Sequence, residues 1–464
     1  MESQEQAERE TCHAIVFSPA GNEVLLKSTE SGFVLPSVEV PRWERLAENL
    51  TAALRRDWGC DAVCLFTPRH SSQDGNPNDY HCEVMECWRD QHIRGTDWKP
   101  VRSLTADSFQ DRSEFRTLEQ CLHELDGCEH DPSSPFAQRG WLARLRGWTT
   151  HVIRPLGLEL GASFRQYNAS PSFSLLRLET DGPAVWFKAV GEPNLREFPI
   201  TLTLAELFPK FIPEILGTKP GWNAWLSREI EGTNLGEAKD IALWKNAAID
   251  LARLQIESIS RTDSILNSGA HDLRADKLLT SVDPFFELVA RFMEEQPKVP
   301  PATLDHQELS LLKLRIEDSL ALLEDLGIAN ALGHLDLNPW NIIVSPQGCV
   351  FLDWAEAYVG PPFFSFEYLL QHFRREFGVD AVFESELLNA YKAPWRELLF
   401  EDLTSAALAL APLAAVFAYA VGTSAWKHEE KLRDPKTRAY FRGLARRMNR
   451  EAIQFFERRT ACLS

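Results

Sequence analysis

Four polar residues in the second half of the chain have the types and spacing of a catalytic site. His334, Asp336 and Asn341 follow one another within the segment Gly333–Val344, and Asp353 comes shortly after it. The side-chain oxygens of asparagine and aspartate are ligands that suit Mg²⁺, which completes its shell with water and substrate phosphates. Asp336, on a loop, can face a hydroxyl group and accept its proton. This set indicates transfer of a phosphoryl group to a hydroxyl.

The residues around this set predict how it is positioned. Apolar stretches at Ile342–Val344 and Val350–Leu352 predict two short strands, and Pro346–Gly348 predicts a tight turn between them. Asn341 precedes the first strand and Asp353 follows the second. We therefore expect their side chains to lie close together at the open end of a hairpin.

This loop resembles that of the aminoglycoside phosphotransferase and choline kinase-like small-molecule kinases, which share the protein-kinase fold. The family's loop usually reads HGDLHPGN, and here it reads HLDLNPWN, with Leu335 and Trp340 in place of glycines. The resemblance covers roughly residues 155–445 and is strongest at 184–235 and 330–370. It implies a kinase that uses ATP and Mg²⁺.

The resemblance assigns a role to each polar residue of the loop. Asp336 is implied to be the catalytic base or to orient the acceptor hydroxyl, and His334 is implied to support the loop. Asn341 and Asp353 are the implied Mg²⁺ ligands.

The family also predicts a lysine that contacts the nucleotide. Val185–Lys188 resembles its lysine-bearing strand, which implies that Lys188 reaches the α- and β-phosphates of ATP. Glu197, on the following helix, is the implied partner of Lys188. Because Glu197 follows Lys188 at short range, Glu206 is the alternative.

Two further segments are implied to hold the nucleotide. The loop Tyr167–Ser172 would cover the phosphates with Ser170 and Ser172, although it contains no glycine. Trp225–Gly232 resembles the segment that connects the two lobes of such kinases. It implies that the backbone around Glu229 and Ile230 forms hydrogen bonds with adenine.

The N-terminal part, residues 12–126, resembles a degenerate Nudix hydrolase domain. Phe33–Ser37, followed by a helix that is predicted over Leu46–Trp58 and ends at Gly59, matches the strand, loop and helix of that family. Glu44 and Asp57 stand at two of its acidic positions, whereas alanines and an arginine occupy others. Because metal-dependent hydrolysis requires several converging carboxylates, we predict no diphosphohydrolase activity.

Composition sets the remaining limits. The chain has 464 residues, about three units at roughly 150 residues each. Its 49 basic and 67 acidic residues give a net charge of −18, which argues against binding to nucleic acid. Met1–Glu10 is polar, and the apolar stretch Leu403–Thr423 is typical of a buried helix, so we expect a cytoplasmic protein without membrane association. The nine cysteines are expected to be reduced.

One cysteine and histidine cluster could hold zinc. Cys121, His123, Cys128 and His130 lie close together in the sequence. Residues two apart on a helix point in different directions, so this spacing favours a structural role over a metal site.

We predict an α+β fold that consists of a two-lobed protein-kinase-like part and an N-terminal α/β Nudix-like domain. The lobes are a small β-rich N-lobe and a large helical C-lobe. The expected boundaries are 1–126 for the degenerate Nudix-like domain, 127–154 for a linker and lead-in helix, 155–235 for the N-lobe and hinge, and 236–464 for the helical C-lobe with the catalytic loop.

The leading hypothesis is an ATP- and Mg²⁺-dependent phosphotransferase that acts on a hydroxyl of a small molecule. An acidic pocket would suit a cationic acceptor. The alternatives are a catalytically weak pseudokinase that binds ligands or regulates, motivated by the glycine-free loop and by Leu335 and Trp340, and an active Nudix hydrolase. The sequence leaves open the acceptor, the choice between ATP and GTP, the role of the Nudix-like domain and the oligomeric state.

Overall fold

The computed structural model describes residues 9–42, 45–66, 81–128, 136, 138–170, 173–297 and 300–463. The chain forms two compact units. Unit 1 contains Met1–Phe198 and Glu214–Glu229, and unit 2 contains Pro199–Pro213 and Ile230–Ser464. The predicted α+β class, with a β-rich part and a helix-rich part, is confirmed.

Unit 1 begins with a seven-stranded sheet in the strand order β3-β2-β1-β6-β5, to which β4 and β7 are added through β1 and β2. Strands β1 and β6 are parallel, and the other neighbours are antiparallel. The elements of this part are β1 (Arg9–Phe17), β2 (Glu23–Thr29), β3 (Gly32–Val34), β4 (Ser37–Pro41), α1 (Leu46–Trp58), β5 (Ala62–Phe66), β6 (His81–Cys87), β7 (Asp97–Pro100) and α2 (Arg112–Cys128).

The predicted helix Leu46–Trp58 is present with these bounds. Gly59 ends it in the left-handed region at φ 66°, where a residue without a Cβ has no steric penalty. Of the two carboxylates that the Nudix resemblance retained, Asp57 pairs with its neighbour Arg56 at 2.6 Å, and Glu44 lies outside the described residues. The Nudix-like identity of this part stays a prediction.

A second, antiparallel sheet completes unit 1 in the strand order β11-β12-β10-β9-β8. Its elements, with the helix that leads into it, are α3 (Trp141–Ile153), β8 (Leu160–Ser170), β9 (Phe173–Thr180), β10 (Val185–Val190), β11 (Ile215–Lys219) and β12 (Ala224–Arg228). Helix α4 (Glu197–Leu207) starts in unit 1 and continues into unit 2.

One hydrophobic core joins both sheets of unit 1. Ile15 and Val84 of the first sheet, Leu176 and Phe187 of the second, and Trp141 of α3 belong to the same buried cluster. Helix α2 also runs through the predicted boundary after residue 126. The domain boundaries therefore stay a prediction, while residues on both sides of 127–154 pack in one unit.

Unit 2 is mainly helical around a single large apolar core. Its helices are α5 (Ile241–Ser258), α6 (Thr262–Asn267), α7 (Ala275–Glu294), α8 (His306–Asp325), α9 (Phe363–Phe377), α10 (Ala381–Trp395), α11 (Glu401–Gly422), α12 (Glu429–Leu432) and α13 (Pro435–Leu463). Helix α7 contains Pro284 in its interior, and Leu278 and Val282 before the proline are buried in the core.

Two three-stranded sheets in unit 2 hold the catalytic loop. The first has the order β13-β16-β17 and the second β14-β18-β15. Their strands are β13 (Thr233–Asn234), β14 (His271–Asp272), β15 (Ala331–His334), β16 (Ile342–Ser345), β17 (Gly348–Phe351) and β18 (Ala357–Gly360). The loop leaves β15 in one sheet and enters β16 in the other, so both sheets determine its path.

The apolar stretch predicted to be a core helix is α11. Among the described residues it is the one helix long and apolar enough to cross a membrane by length and composition, and 67% of its most apolar window is buried within the structure. Such burial is typical of a core helix in a globular unit.

The described cysteines are buried and free, as predicted. In the zinc candidate, Cys121 is buried in the core and its burial raises the pKa of the thiol to about 12. The side chain of Cys128 and residue His130 lie outside the described part, and the described residues contain no group of three metal-ligating side chains.

Candidate active site

His334 organises the catalytic loop from its base. Its imidazole is fully buried, Nδ1 accepts a hydrogen bond from the backbone N–H of Asp336 at 3.1 Å, and Nε2 lies 3.0 Å from the carbonyl oxygen of Leu352. Since Nδ1 accepts, the proton must be on Nε2, which donates to Leu352. One neutral ring thus connects the catalytic loop to the strand that precedes Asp353.

Burial disfavours a charge on this ring. It lowers the pKa of His334, although the Leu352 carbonyl and the charges of Asp353, Asp336 and Glu356 oppose the shift. The imidazole also packs on Trp354, with ring centroids 4.9 Å apart. The geometry therefore selects the neutral tautomer that both hydrogen bonds need.

Asp336 presents its carboxylate to solvent from a loop whose backbone is fixed. Its carbonyl oxygen accepts hydrogen bonds from the backbone N–H of Asn338 at 2.8 Å and from Nδ2 of Asn341 at 3.1 Å. Partial desolvation by the surrounding protein raises the pKa of this carboxyl although the residue is exposed, and the charges of Asp353 and Glu356 raise it further, against the lowering effect of a hydrogen bond with Asn338. A carboxylate with a raised pKa is a stronger base for a hydroxyl proton.

The hairpin β16–β17 brings the backbone of Asn341 next to the residue that precedes Asp353. Ile342 pairs with Phe351, and the N–H of Leu352 then donates to the carbonyl of Asn341 at 2.8 Å. Asp353 comes directly after Leu352 and adopts φ 63°, in the left-handed region.

The donor set fits Mg²⁺. Because Nδ2 of Asn341 is engaged with the Asp336 carbonyl, its Oδ1 is the atom that would coordinate a cation, and a carboxylate oxygen of Asp353 would be the second protein ligand. Two protein oxygens, supplemented by water and phosphate oxygens, are the usual way in which proteins hold this ion.

The two unusual residues of the loop are accommodated by glycines elsewhere in unit 2. A Cβ on Gly422, at the end of α11, would lie 2.7 Å from Cδ1 of Leu335, and a Cβ on Gly236 would lie 2.5 Å from the ring of Trp340. The carbonyl of Trp340 also accepts a hydrogen bond from Nδ2 of Asn234 at 2.9 Å. The side chains of Leu335 and Trp340 thus occupy space that Gly422 and Gly236 leave open. The loop still forms the hydrogen bonds of His334 and Asn341 with the backbone of Asp336.

In unit 1, Lys188 forms an ion pair with Glu197. Nζ of Lys188, on β10, lies 2.5 Å from Oε1 of Glu197, the first residue of α4, and Glu197 is 2% exposed. A carboxylate in the first turn of a helix is also stabilised by the helix dipole. The structure therefore brings together the lysine and the first-choice glutamate, whereas Glu206 is exposed.

The other residues predicted to contact the nucleotide are Ser170, Ser172, Glu229 and Ile230. The hydroxyl of Ser170 accepts a hydrogen bond from the N–H of Phe173 at 3.3 Å, and Ser172 lies outside the described residues. The carboxylate of Glu229 accepts hydrogen bonds from Trp186 at 2.6 Å and Arg177 at 3.1 Å. Its side chain is engaged within unit 1, and its backbone N–H donates to the carbonyl of Ala184 at 3.2 Å, so the structure does not leave this N–H open for adenine. Ile230 is the first residue of the following segment of unit 2.

Three tyrosines near the catalytic loop were not predicted. Tyr368 of α9 packs on Tyr419 of α11 with centroids 5.6 Å apart, and burial, followed by the charges of Tyr419 and Asp336, raises the pKa of Tyr368. Tyr440 of α13 forms a hydrogen bond with Tyr419. They come from three helices, so no spacing in the sequence connects them.

Glu367, which follows the proline-rich turn after β18, is a core residue. It is 5% exposed, and its carboxylate accepts a hydrogen bond from Gln371 at 2.9 Å. Burial raises the pKa of Glu367 to about 7. We therefore do not include it among the acceptor-binding groups.

Comparisons with known proteins place the catalytic loop within a recognised family pattern. Residues 225–401 match the family model described as "Phosphotransferase enzyme family". The match includes the catalytic loop, Asn341 and Asp353. The prediction of a small-molecule phosphotransferase family is thereby confirmed.

Solved structures with a similar fold carry names from the same group. The macrolide 2'-phosphotransferase MphH from Brachybacterium faecium is 16% identical, with 65% of this chain and 98% of that one covered at a TM-score of 0.45. The choline kinase LicA from Streptococcus pneumoniae is 14% identical, with 66% and 99% covered at 0.43. A GDP and kanamycin complex of APH(2")-IIIa is 16% identical, with 65% and 98% covered at 0.42. No curated protein matches the chain.

The pairing of Leu335 with Gly422 can be tested by a double-mutant cycle. Alanine normally stabilises a helix relative to glycine, but Gly422→Ala would collide with Leu335 and should lower the free energy of unfolding by about 1–3 kcal/mol. Leu335→Ala in the same chain should recover most of that loss. Gly443→Ala in α13, where nothing lies within 4 Å of a Cβ, is the control and should be neutral or stabilising. Equal effects at both glycines, measured by urea unfolding, would contradict the close packing.

The neutral state of His334 predicts a pH dependence of stability. The unfolded chain binds a proton at His334 near pH 6.5, whereas the folded chain binds it only at lower pH. The contribution of His334 to the free energy of unfolding is therefore complete above pH 6.5 and declines as the pH falls. Between pH 7 and 5 it amounts to up to about 2 kcal/mol. His334→Asn should have a lower free energy of unfolding than wild type at pH 7, and this free energy should fall less on acidification. His306→Asn, at an exposed position, should show the same pH dependence as wild type. An unchanged slope in His334→Asn would refute the neutral, buried state.

Proposed function

We propose that this protein is an ATP- and Mg²⁺-dependent phosphotransferase that acts on a hydroxyl group of a small molecule. The observation that carries the proposal is the hydrogen-bond frame of His334. It holds the N–H of Asp336 and the carbonyl of Leu352 on one ring, while the Asn341 carbonyl accepts from the N–H of Leu352. The base and both metal ligands are thereby positioned by one set of bonds.

Each residue has a separate task in the proposed reaction. Asp336 accepts a hydrogen bond from the acceptor hydroxyl, orients its oxygen toward the γ-phosphorus and takes up the proton as the new P–O bond forms and the bond to the β-phosphate oxygen breaks. Asn341 and Asp353 would hold Mg²⁺, which would neutralise charge on the phosphates. Lys188 contacts the phosphates and Glu197 fixes its ammonium group.

The raised pKa of Asp336 determines the acid side of the activity. The carboxylate form is needed to accept the proton, so the rate should fall as the pH drops through the pKa of Asp336, which is raised above the ordinary value for aspartate.

Negative charge and aromatic rings around Asp336 favour a cationic acceptor. Asp336 lies near Glu356, which pairs with His271 at 3.4 Å, and near Tyr368. Carboxylates and ring faces attract an ammonium group. We therefore place amino alcohols and amino sugars first among the acceptors to be tested.

Asp336→Asn should decrease kcat by about 10²- to 10⁴-fold on any acceptor that the wild type phosphorylates, because the amide cannot take up the proton. The assay is ATP turnover across amino alcohols, sugars and aminoglycosides, with Asp318→Asn, on helix α8, as an acidic control. A thermal-shift titration with Mg·ATP should stabilise wild type and Asp336→Asn alike. Equal turnover by both proteins would overturn the role of Asp336. Absence of any Mg·ATP stabilisation, together with a shift from another ligand, would favour a pseudokinase.

Glu356→Gln tests the preference for a cation. Its backbone carbonyl, which accepts from Leu335 N–H at 3.0 Å, is unaffected by the change, so the loop should keep its path. We expect the KM for cationic acceptors to rise roughly tenfold and the KM for neutral acceptors and ATP to stay within about twofold. Glu386→Gln, at an exposed pair with Lys245, is the matched control. An equal rise for neutral acceptors would argue against charge recognition.

A further inference from the structure

Two sheet edges meet inside unit 1. Strand β5 is the last strand of the N-terminal sheet and β8 is the last strand of the second sheet. An edge strand leaves a row of backbone N–H and C=O groups without strand partners, which is costly when the edge is buried. The way in which these two edges satisfy each other connects the N-terminal part to the kinase-like part.

The side chain of Gln166 bridges the two edges. Its Oε1 accepts from the N–H of Cys64 at 2.8 Å, and its Nε2 donates to the carbonyl of Cys64 at 3.0 Å. Gln166 and Cys64 are both buried. The amide of Gln166 thus pairs with Cys64 as a residue of a neighbouring strand would.

Other contacts fix the same part of β8. The guanidinium of Arg55 donates to the carbonyl of Phe164 at 3.3 Å and lies 5.2 Å from its ring centroid. Trp88 packs on Phe164 at 4.6 Å, and Arg165 forms a 2.9 Å hydrogen bond with Glu48 of helix α1. Strand β8 is therefore held from the N-terminal part at several consecutive residues.

The same strand determines where the phosphate-covering hairpin ends. This hairpin consists of β8 and β9, and its described ends, Ser170 and Phe173, pair with each other. Lys188 of β10 pairs with Leu175 of β9, which pairs with Asn168 of β8. The end of the hairpin is thus two residues, about 7 Å, along the strands from Lys188.

We propose that Gln166 is a positioning residue through which the N-terminal sheet fixes the phosphate-covering hairpin relative to Lys188. The N-terminal part then serves the kinase reaction as a fixed support of β8. The proposal rests on the proposed function insofar as this hairpin is assigned to the nucleotide phosphates. Because Gln166 is buried on the core side of the sheet, it acts through β8 and does not touch the nucleotide.

The test replaces Gln166 with leucine, which retains volume and removes both hydrogen bonds to Cys64. We expect faster hydrogen–deuterium exchange in peptides covering 165–176 and a rise of roughly fivefold or more in the KM for ATP. The KM for the acceptor should be unchanged. Gln255→Leu is the matched control, since Gln255 is equally buried in unit 2 and bonds Pro362 at 2.6 Å and Tyr391 at 2.7 Å. It should lower the melting temperature without either effect.

The outcomes separate the proposal from the proposed function. If wild type shows no phosphotransfer on any acceptor, the proposed function fails, and exchange at 165–176 still reports whether Gln166 holds β8. Gln166→Leu could instead lower the melting temperature and leave both the exchange at 165–176 and the KM for ATP as in wild type. In that case Gln166 is a structural residue alone and the proposal is overturned. Gln166→Glu, which keeps an acceptor for the N–H of Cys64, should lie between leucine and wild type.

Discussion

The candidate active site depends on one uncharged imidazole. His334 accepts from Asp336 and donates to Leu352, and a proton on both ring nitrogens would break the first of these bonds. The loop with the base and the strand before Asp353 belong to different small sheets. This ring therefore joins the two sheets at the point where the chemistry is proposed, together with the hydrogen bond from Nδ2 of Asn341 to the carbonyl of Asp336.

The parts of the site that the sequence predicted are those with local causes. The hairpin around Pro346–Gly348 places Asn341 near Asp353, because strand pairing across a tight turn leaves little freedom. Lys188 and Glu197 meet because a strand and the next helix are close in sequence. The predicted helix over Leu46–Trp58 likewise has its own cap at its end.

What the sequence did not predict depends on contacts between distant segments. Tyr368 and Tyr419 lie on separate helices, and the amide of Gln166 meets Cys64 across about a hundred residues. Leu335 and Trp340 replace glycines of the family's loop, and Gly422 and Gly236 opposite them leave the space that their side chains need. Such complementarity exists only in the packed molecule, since neither partner has a pattern of its own.

The backbone of Asp353 has a consequence for which residues can replace it. Its φ of 63° lies in a region where most side chains collide with their own backbone, and aspartate and asparagine are among the few that tolerate it. The proposed role as a Mg²⁺ ligand needs an oxygen on a short side chain, and the backbone conformation favours the same two residue types. A substitution of Asp353 by any other residue would therefore disturb the local conformation as well as the proposed coordination.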